Sequence, residues 1–121
     1  MALNIQDVIG AWKLKSFEIE KEGVSRPWRQ NAHGTLIYSE DGYMSVSINS
    51  DHSEDDWLNS LLFYSGTYEV QGTTIKHVVL NATNPDRIGN KLIREATFDG
   101  KQMSLSAKGP FGHAILNWVK I

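Results

Sequence analysis

His77 stands out as a candidate for chemistry because it interrupts IKHVVLN (75–81), the most apolar run of the chain. Successive side chains of a β-strand point to opposite faces, so a solvent-facing Lys76 turns His77 inward. An inward histidine either forms hydrogen bonds within a core or transfers protons near neutral pH. The pattern leaves both interpretations open.

Two tyrosines and a glycine are predicted to surround this imidazole. The alternation in YSGTYEV turns Tyr64, Gly66 and Tyr68 inward. A two-residue turn at 71–72 would place Gly66 directly across from His77, with a tyrosine on either side. The missing side chain would leave space beside the imidazole. Each tyrosine then either packs in the wall or donates a hydrogen bond to a ligand.

Arg94 is the cation predicted to face inward, because Glu95 marks the outer face of its strand. A two-residue turn at Asp99–Gly100 would pair Arg94 with Leu105. A guanidinium remains charged, so burying it without a partner costs several kcal/mol. Its partner is therefore Glu18, which alternation also turns inward, or an acidic group of a ligand, or water at an open mouth.

The elements that must position these residues are short alternating runs separated by turn residues, which is typical of an antiparallel sandwich or barrel. Eight strands are predicted, the number of a small up-and-down barrel. Their bounds are 10–20, 34–40, 43–49, 63–70, 73–82, 90–98, 101–107 and 112–120.

Two segments are predicted to be helical, and one long loop is predicted over the mouth. Residues 2–9 would form a turn that plugs one end. Residues 53–63 begin with a capping box of Ser53 and Asp56, and an apolar stripe would pack that helix on the barrel. The stripe comprises Trp57, Leu58, Leu61 and Leu62. Loop 20–34 carries Trp28, which is either a lid contact for a ligand or a surface anchor.

The same alternation identifies the other side chains predicted to contact a ligand inside the barrel. They are Trp12, Glu18, Met44, Val46, Gly66, Ile75, Val79, Asn81, Phe98 and Met103.

Composition excludes several classes of function. The 121 residues form one domain with a single core. A net charge of −2 with dispersed cations argues against nucleic-acid binding. The chain has no cysteine, and its histidines lack metal-ligand spacing, so no cofactor or metal is predicted. No apolar run is long enough for a membrane span, and we expect a soluble cytoplasmic monomer or homodimer.

Several segments, in order along nearly the whole chain, resemble the small bacterial and fungal lipocalin-like domain proteins. They are GAW (10–12), GTLIYSEDGYMSV (34–46), YSGTYEV (64–70), IKHVV (75–79) and the closing LNWVKI. The resemblance implies a calycin-type barrel with a ligand cavity, closed at the end where Trp12 packs. Lipocalins usually lay an arginine over that tryptophan, whereas here Lys120 is the nearest basic residue, so its stem would cover the ring.

Two functions are consistent with an apolar interior that holds a few polar groups. One is binding of a small lipophilic molecule that carries an acidic or carbonyl oxygen. The other, implied by family members in natural-product pathways, is a cofactor-free isomerase or cyclase acting on a polyketide- or terpenoid-like substrate. In that case His77 would shuttle a proton, Tyr64 or Tyr68 would donate to a carbonyl, and Arg94 would stabilise negative charge.

Overall fold

The computed structural model describes residues 3–53, 55–110 and 112–121, and shows an antiparallel sheet closed into a barrel. None of the helices in these ranges has the length and apolar character needed to cross a membrane. The strands are β1 Gly10–Lys21, β2 Val24–Pro27, β3 His33–Tyr38, β4 Tyr43–Asn49, β5 Leu61–Gln71, β6 Thr74–Ala82, β7 Lys91–Phe98, β8 Gln102–Gly109 and β9 Gly112–Lys120.

Eight of these strands form the barrel, which confirms the predicted all-β architecture. Neighbours in sequence pair around the sheet, and β1 pairs with β9 to close it. The remaining strand, β2, pairs only with the end of β1. Part of the predicted loop 20–34 is therefore a hairpin that extends the sheet beyond the barrel wall.

The end of the barrel at Trp12 is filled by side chains. Helix α1, Ile5–Val8, is the helical turn predicted there, and its Val8 carbonyl accepts a 3.0 Å hydrogen bond from Trp12 Nε1. Lys120 Nζ lies 5.3 Å from the centre of the Trp12 ring, and Phe98 packs edge-on against the same ring. Lysine thus covers the tryptophan, as the sequence suggested, and Trp12 belongs to the packed end.

A β-bulge in β1 reverses which side chains face the interior. The register against β9 shifts between Leu14 and Ser16, and Phe17 is buried beyond that point. Glu18 consequently lies on the outer side, where it accepts a 2.7 Å hydrogen bond from Ser25 Oγ. The prediction that Glu18 faces inward is wrong, because strict alternation fails when one residue is inserted.

A second bulge lies in the β5–β6 ladder and reverses which side chains at the end of β6 face the interior. Ser65 pairs with Asn81 while the next residue, Gly66, pairs with Val79. Asn81 is therefore exposed, and its predicted inward orientation is wrong. A Cβ at Gly66 would lie 1.8 Å from the Val78 carbonyl oxygen, so glycine permits this close backbone approach.

Both predicted hairpin registers are offset by two residues. The β5–β6 turn consists of residues 72–73, which pairs Tyr68 with His77, so Gly66 does not face the imidazole as predicted. Residues 99–101 separate β7 from β8, and Leu105 pairs with Ala96 instead of Arg94. A shift by two preserves the face of every side chain, so the inward orientations of these residues survive the error.

The predicted helix at 53–63 is wrong in type and extent. A 3-10 helix spans Trp57–Ser60, and β5 begins at Leu61. Trp57 and Leu58 are more than half exposed, so they do not form the predicted buttress on the barrel. The Asp56 carboxylate does accept from the Ser53 backbone N–H at 2.8 Å, as one half of a capping box would. Glu54, also within the predicted helix, lies outside the described residues.

Candidate ligand-binding site

A cavity of about 560 Å³ occupies the barrel interior away from the end filled by Trp12. This volume lies within the usual range for small-molecule sites. Its wall is mainly apolar and includes Phe17, Ile19, Leu36, Val46, Leu92 and Leu105. Phe17 and Ile19 reach the cavity because of the β1 bulge.

His77 lies between two tyrosine hydroxyls. Tyr38 Oη is 2.6 Å from His77 Nε2, and Tyr64 Oη is 2.8 Å from His77 Nδ1. The three side chains come from β3, β6 and β5, so closure of the barrel brings them together. Tyr64 and His77 line the cavity, whereas Tyr38 is buried behind them. The arrangement is a hydrogen-bonded chain that ends at the cavity surface.

The imidazole of His77 is held in its neutral form. Burial and, to a smaller extent, the positive charge of Arg94 together lower its pKa from 6.5 to about 3. A neutral imidazole donates through one nitrogen and accepts through the other. With so low a pKa, His77 is a weak base at neutral pH, so its clearest role is to position its two tyrosine partners.

Tyr38 and Tyr64, the two tyrosines hydrogen-bonded to His77, remain protonated at neutral pH. Burial raises the pKa of Tyr38 well above 10.0. Burial also raises the pKa of Tyr64, while the charge of Arg94 opposes that shift. Tyr64 thus keeps a hydroxyl proton that it can donate in a hydrogen bond.

Arg94 is positioned on β7 beside this chain. It pairs with Ile75 in the β6–β7 ladder, two residues along from the pair formed by His77 and Leu92. Its guanidinium donates a 3.4 Å hydrogen bond to the Ile93 carbonyl, and within the described residues no carboxylate lies within 4.0 Å of it. Glu18, on the outer face, is not its partner. The other two predicted partners, an acidic group of a ligand and water at an open mouth, are both compatible with this geometry.

Two further cations, Arg87 and Lys108, line the cavity, and its described lining contains no aspartate or glutamate. Arg87 follows β6 in a 3-10 helix, Pro85–Arg87, and Lys108 lies near the end of β8. A mainly apolar space with several cations and no acidic side chain among its described residues favours an anionic occupant.

Two tryptophans complete the wall. Trp28 stacks on Phe17 with ring centres 4.7 Å apart, and both residues line the cavity. This placement supports the interpretation of Trp28 as a contact at the mouth. Trp118 is buried, and its Nε1–H has no hydrogen-bond acceptor among the described residues. An unpaired buried N–H is rare in folded proteins.

The predicted site residues divide into three groups. Tyr64, His77, Arg94 and Val46 line the cavity. Six others lie in or against the core without lining it: Trp12, Met44, Ile75, Val79, Phe98 and Met103. Tyr68 also lies in the core, where its hydroxyl donates to the Ser39 carbonyl at 2.7 Å. Glu18 and Asn81 are turned away from the cavity by the bulges described above, and Gly66 is buried without lining it.

Sequence reasoning missed Tyr38, Arg87, Lys108 and Trp118. The observed β3, His33–Tyr38, carries no Lys or Glu to mark its outer face, although Tyr38 lies two residues from Leu36 and shares its buried face. Arg87 lies in a connection between strands, where alternation gives no orientation. In the described ranges, no group of three histidine, aspartate or glutamate side chains is arranged to hold a metal ion.

Comparison with known proteins supports the architecture. A family model described as a lipocalin-like domain matches residues 9–55. Among solved structures, a redesigned β-barrel aligns with a TM-score of 0.57 and 12% identity over 100% of this chain and 96% of the other, a likeness that concerns the fold alone. Comparison with curated protein sequences finds no significant match. The family match over residues 9–55 and the closed eight-stranded barrel together support a lipocalin-like barrel fold.

Proposed function

We propose that this lipocalin-like protein binds a small lipophilic molecule that carries an acidic or carbonyl oxygen. The observation that carries the proposal is an apolar cavity of about 560 Å³ whose wall includes Arg94, a cation with no carboxylate partner in the described chain. Apolar groups provide affinity by burial, and a few polar groups orient the ligand. Tyr64 and Arg94 would contact the oxygen.

The test uses anilinonaphthalene sulfonate, a fluorescent lipophilic anion, together with native mass spectrometry of the purified protein. We expect one probe molecule per chain, with energy transfer from Trp28 and Trp118 in the wall. We also expect a co-purified lipophilic molecule that the probe displaces.

A pair of charge variants on β7 locates the binding site. Arg94→Gln removes a cavity cation, whereas Lys91→Gln removes an exposed one on the same strand. Hydrogen bonds to charged groups contribute about 1.5–3 kcal/mol, so Arg94→Gln should weaken probe binding roughly tenfold or more. Lys91→Gln should leave it unchanged. Equal affinities of the two variants, or no binding by the unaltered protein, would refute the proposal.

The second candidate function is a cofactor-free isomerase or cyclase that acts on a polyketide- or terpenoid-like molecule in the same cavity. It is favoured by the contact between the neutral His77 and Tyr64, close to the charge of Arg94. Tyr64 would donate to a substrate carbonyl, His77 would relay a proton to Tyr64, and Arg94 would stabilise developing negative charge.

Catalysis is distinguished from binding by what happens to a co-purified molecule. After release, the molecule would be incubated with the protein and with Tyr64→Phe, and its isomeric composition followed by chromatography. An enzyme converts it and loses turnover far more than affinity in the variant. A carrier returns the molecule unchanged.

A further inference from the structure

The described polar side chains of the cavity wall all carry hydrogen-bond donors. This property extends the proposed binding function, on which this inference rests. These side chains are Trp28, Tyr64, His77, Arg87, Arg94, Lys108 and Trp118. Within the described part of the wall, no side chain is a carboxylate or an amide. The unpaired buried polar atom of the wall, Trp118 Nε1, is also a donor. The direction of the Tyr38–His77–Tyr64 hydrogen bonds decides whether the Tyr64 hydroxyl also donates to the cavity.

Counting protons sets that direction. Each of the two tyrosines brings one O–H and His77 brings one N–H, yet only two hydrogen bonds join the three groups. One tyrosine therefore accepts from His77 and has its own O–H left over. A buried donor without an acceptor costs about 1–3 kcal/mol, so the leftover proton belongs where an acceptor can reach it.

Only one of the two tyrosines offers such a place. Tyr38 is 1% exposed, does not line the cavity, and makes no hydroxyl hydrogen bond within the described residues besides that to His77. Tyr64 lines the cavity. Tyr38 accordingly donates to Nε2, and the Nδ1–H of His77 donates to the Tyr64 oxygen.

We propose that this one-way chain presents the Tyr64 O–H to the cavity as a donor, and that the site selects an oxyanion of a lipophilic acid over an uncharged analogue. Tyr38 and His77 act as positioning residues for Tyr64. Because the oxygen of Tyr64 already accepts from His77, it is poorly placed to accept from a ligand. A carboxylate, sulfonate or enolate offers acceptors only, which matches the Tyr64 hydroxyl and the neighbouring Arg94.

The direction of the chain is measured by long-range ¹H–¹⁵N NMR of the His77 ring in the unaltered protein. We expect Nδ1 to be protonated and Nε2 to be a bare acceptor. In Tyr38→Phe the donor to Nε2 is lost, and the protonated fraction at Nε2 should rise. A ring protonated at Nε2 in the unaltered protein overturns the proposal.

Ligand selection is measured with two probes that differ by one group. Anilinonaphthalene sulfonate carries an anionic sulfonate, and N-phenyl-1-naphthylamine is the same ring system without it. Tyr64→Phe should weaken binding of the sulfonate roughly tenfold and leave binding of the uncharged probe nearly unchanged. Tyr68→Phe, whose hydroxyl donates to Ser39 outside the cavity, is the matched control and should change neither.

The possible results distinguish a failure of oxyanion selection from a failure of the proposed binding function. If neither probe binds the unaltered protein, the proposed function fails and the inference with it. If both bind and Tyr64→Phe weakens them equally, binding stands and oxyanion selection is refuted. Should Tyr64→Phe fail to fold, the NMR measurement on the unaltered protein and on Tyr38→Phe decides the direction of the chain, and comparison of the two probes in the unaltered protein decides oxyanion selection.

Discussion

Acidification should destabilise this protein through a single buried imidazole. In the folded chain His77 has a pKa of about 3, below its ordinary 6.5, because burial and the charge of Arg94 disfavour the imidazolium. The unfolded chain therefore takes up this proton first as the pH falls. Stability contributed by neutral His77 is complete above about pH 6.5 and is lost progressively towards pH 3.

The magnitude follows from the size of the pKa difference. One pKa unit corresponds to about 1.4 kcal/mol, so a shift from 6.5 to about 3 corresponds to about 5 kcal/mol across that interval. Within it, the free energy of unfolding should fall by about 1.4 kcal/mol per pH unit through this residue alone. Such a loss is a large share of the stability of a domain of this size.

The assay is urea unfolding at pH values from 4 to 7, on the unaltered protein and on His77→Gln. The variant is less stable at neutral pH but lacks the titrating group, so its stability should depend less steeply on pH. His52→Gln removes an exposed imidazole and serves as the control. The Arg29 hydrogen bond that lowers the pKa of Asp56 to about 2 acts at lower pH and in all three proteins. Parallel curves for the unaltered protein and His77→Gln would refute the assignment of a neutral buried imidazole.

Three further predictions concern the bulge, the closed end and the mouth. Gly66→Ala should lower the free energy of unfolding by about 1–3 kcal/mol in a urea titration, because its Cβ would meet a backbone carbonyl at 1.8 Å. Lys120→Ala should cost about 0.5–1 kcal/mol in the same assay by removing the cation over Trp12, and Lys120→Arg should retain that stability. Trp28→Ala should speed release of anilinonaphthalene sulfonate in stopped-flow measurements, because it removes the ring stacked on Phe17 at the mouth.

The sequence predicted the strands well because turn residues and alternation are local properties. Both ends of each of the eight barrel strands lie within two residues of their predicted positions. Local alternation also oriented Tyr64, His77 and Arg94 correctly. His77 adjoins Lys76 and Arg94 adjoins Glu95, which mark the outer face, and Tyr64 is oriented by Glu69 further along β5.

Local patterns could not locate the bulges. An extra residue in β1 turns the Glu18 side chain outward, and another in the β5–β6 ladder turns the Asn81 side chain outward. Both segments nevertheless have ordinary strand composition. A bulge is fixed by pairing with another strand, and that pairing depends on residues far away in sequence. Hairpin registers failed for a related reason, since a glycine can occupy more than one position of a turn.

His77 is a polar residue at the boundary between the packed end of the barrel and the cavity, and its hydrogen bonds explain why a polar side chain suits this position. Ile75 and Val79, its inward neighbours on β6, are fully buried and fill the core. An apolar residue at 77 would leave the hydroxyls of Tyr38 and Tyr64 without their partner, at a cost of about 1–3 kcal/mol for each buried group. The imidazole satisfies both and fixes the direction in which Tyr64 donates. In the proposed one-way arrangement, the neutral imidazole thus satisfies two buried hydroxyls and also orients the Tyr64 hydroxyl towards the cavity.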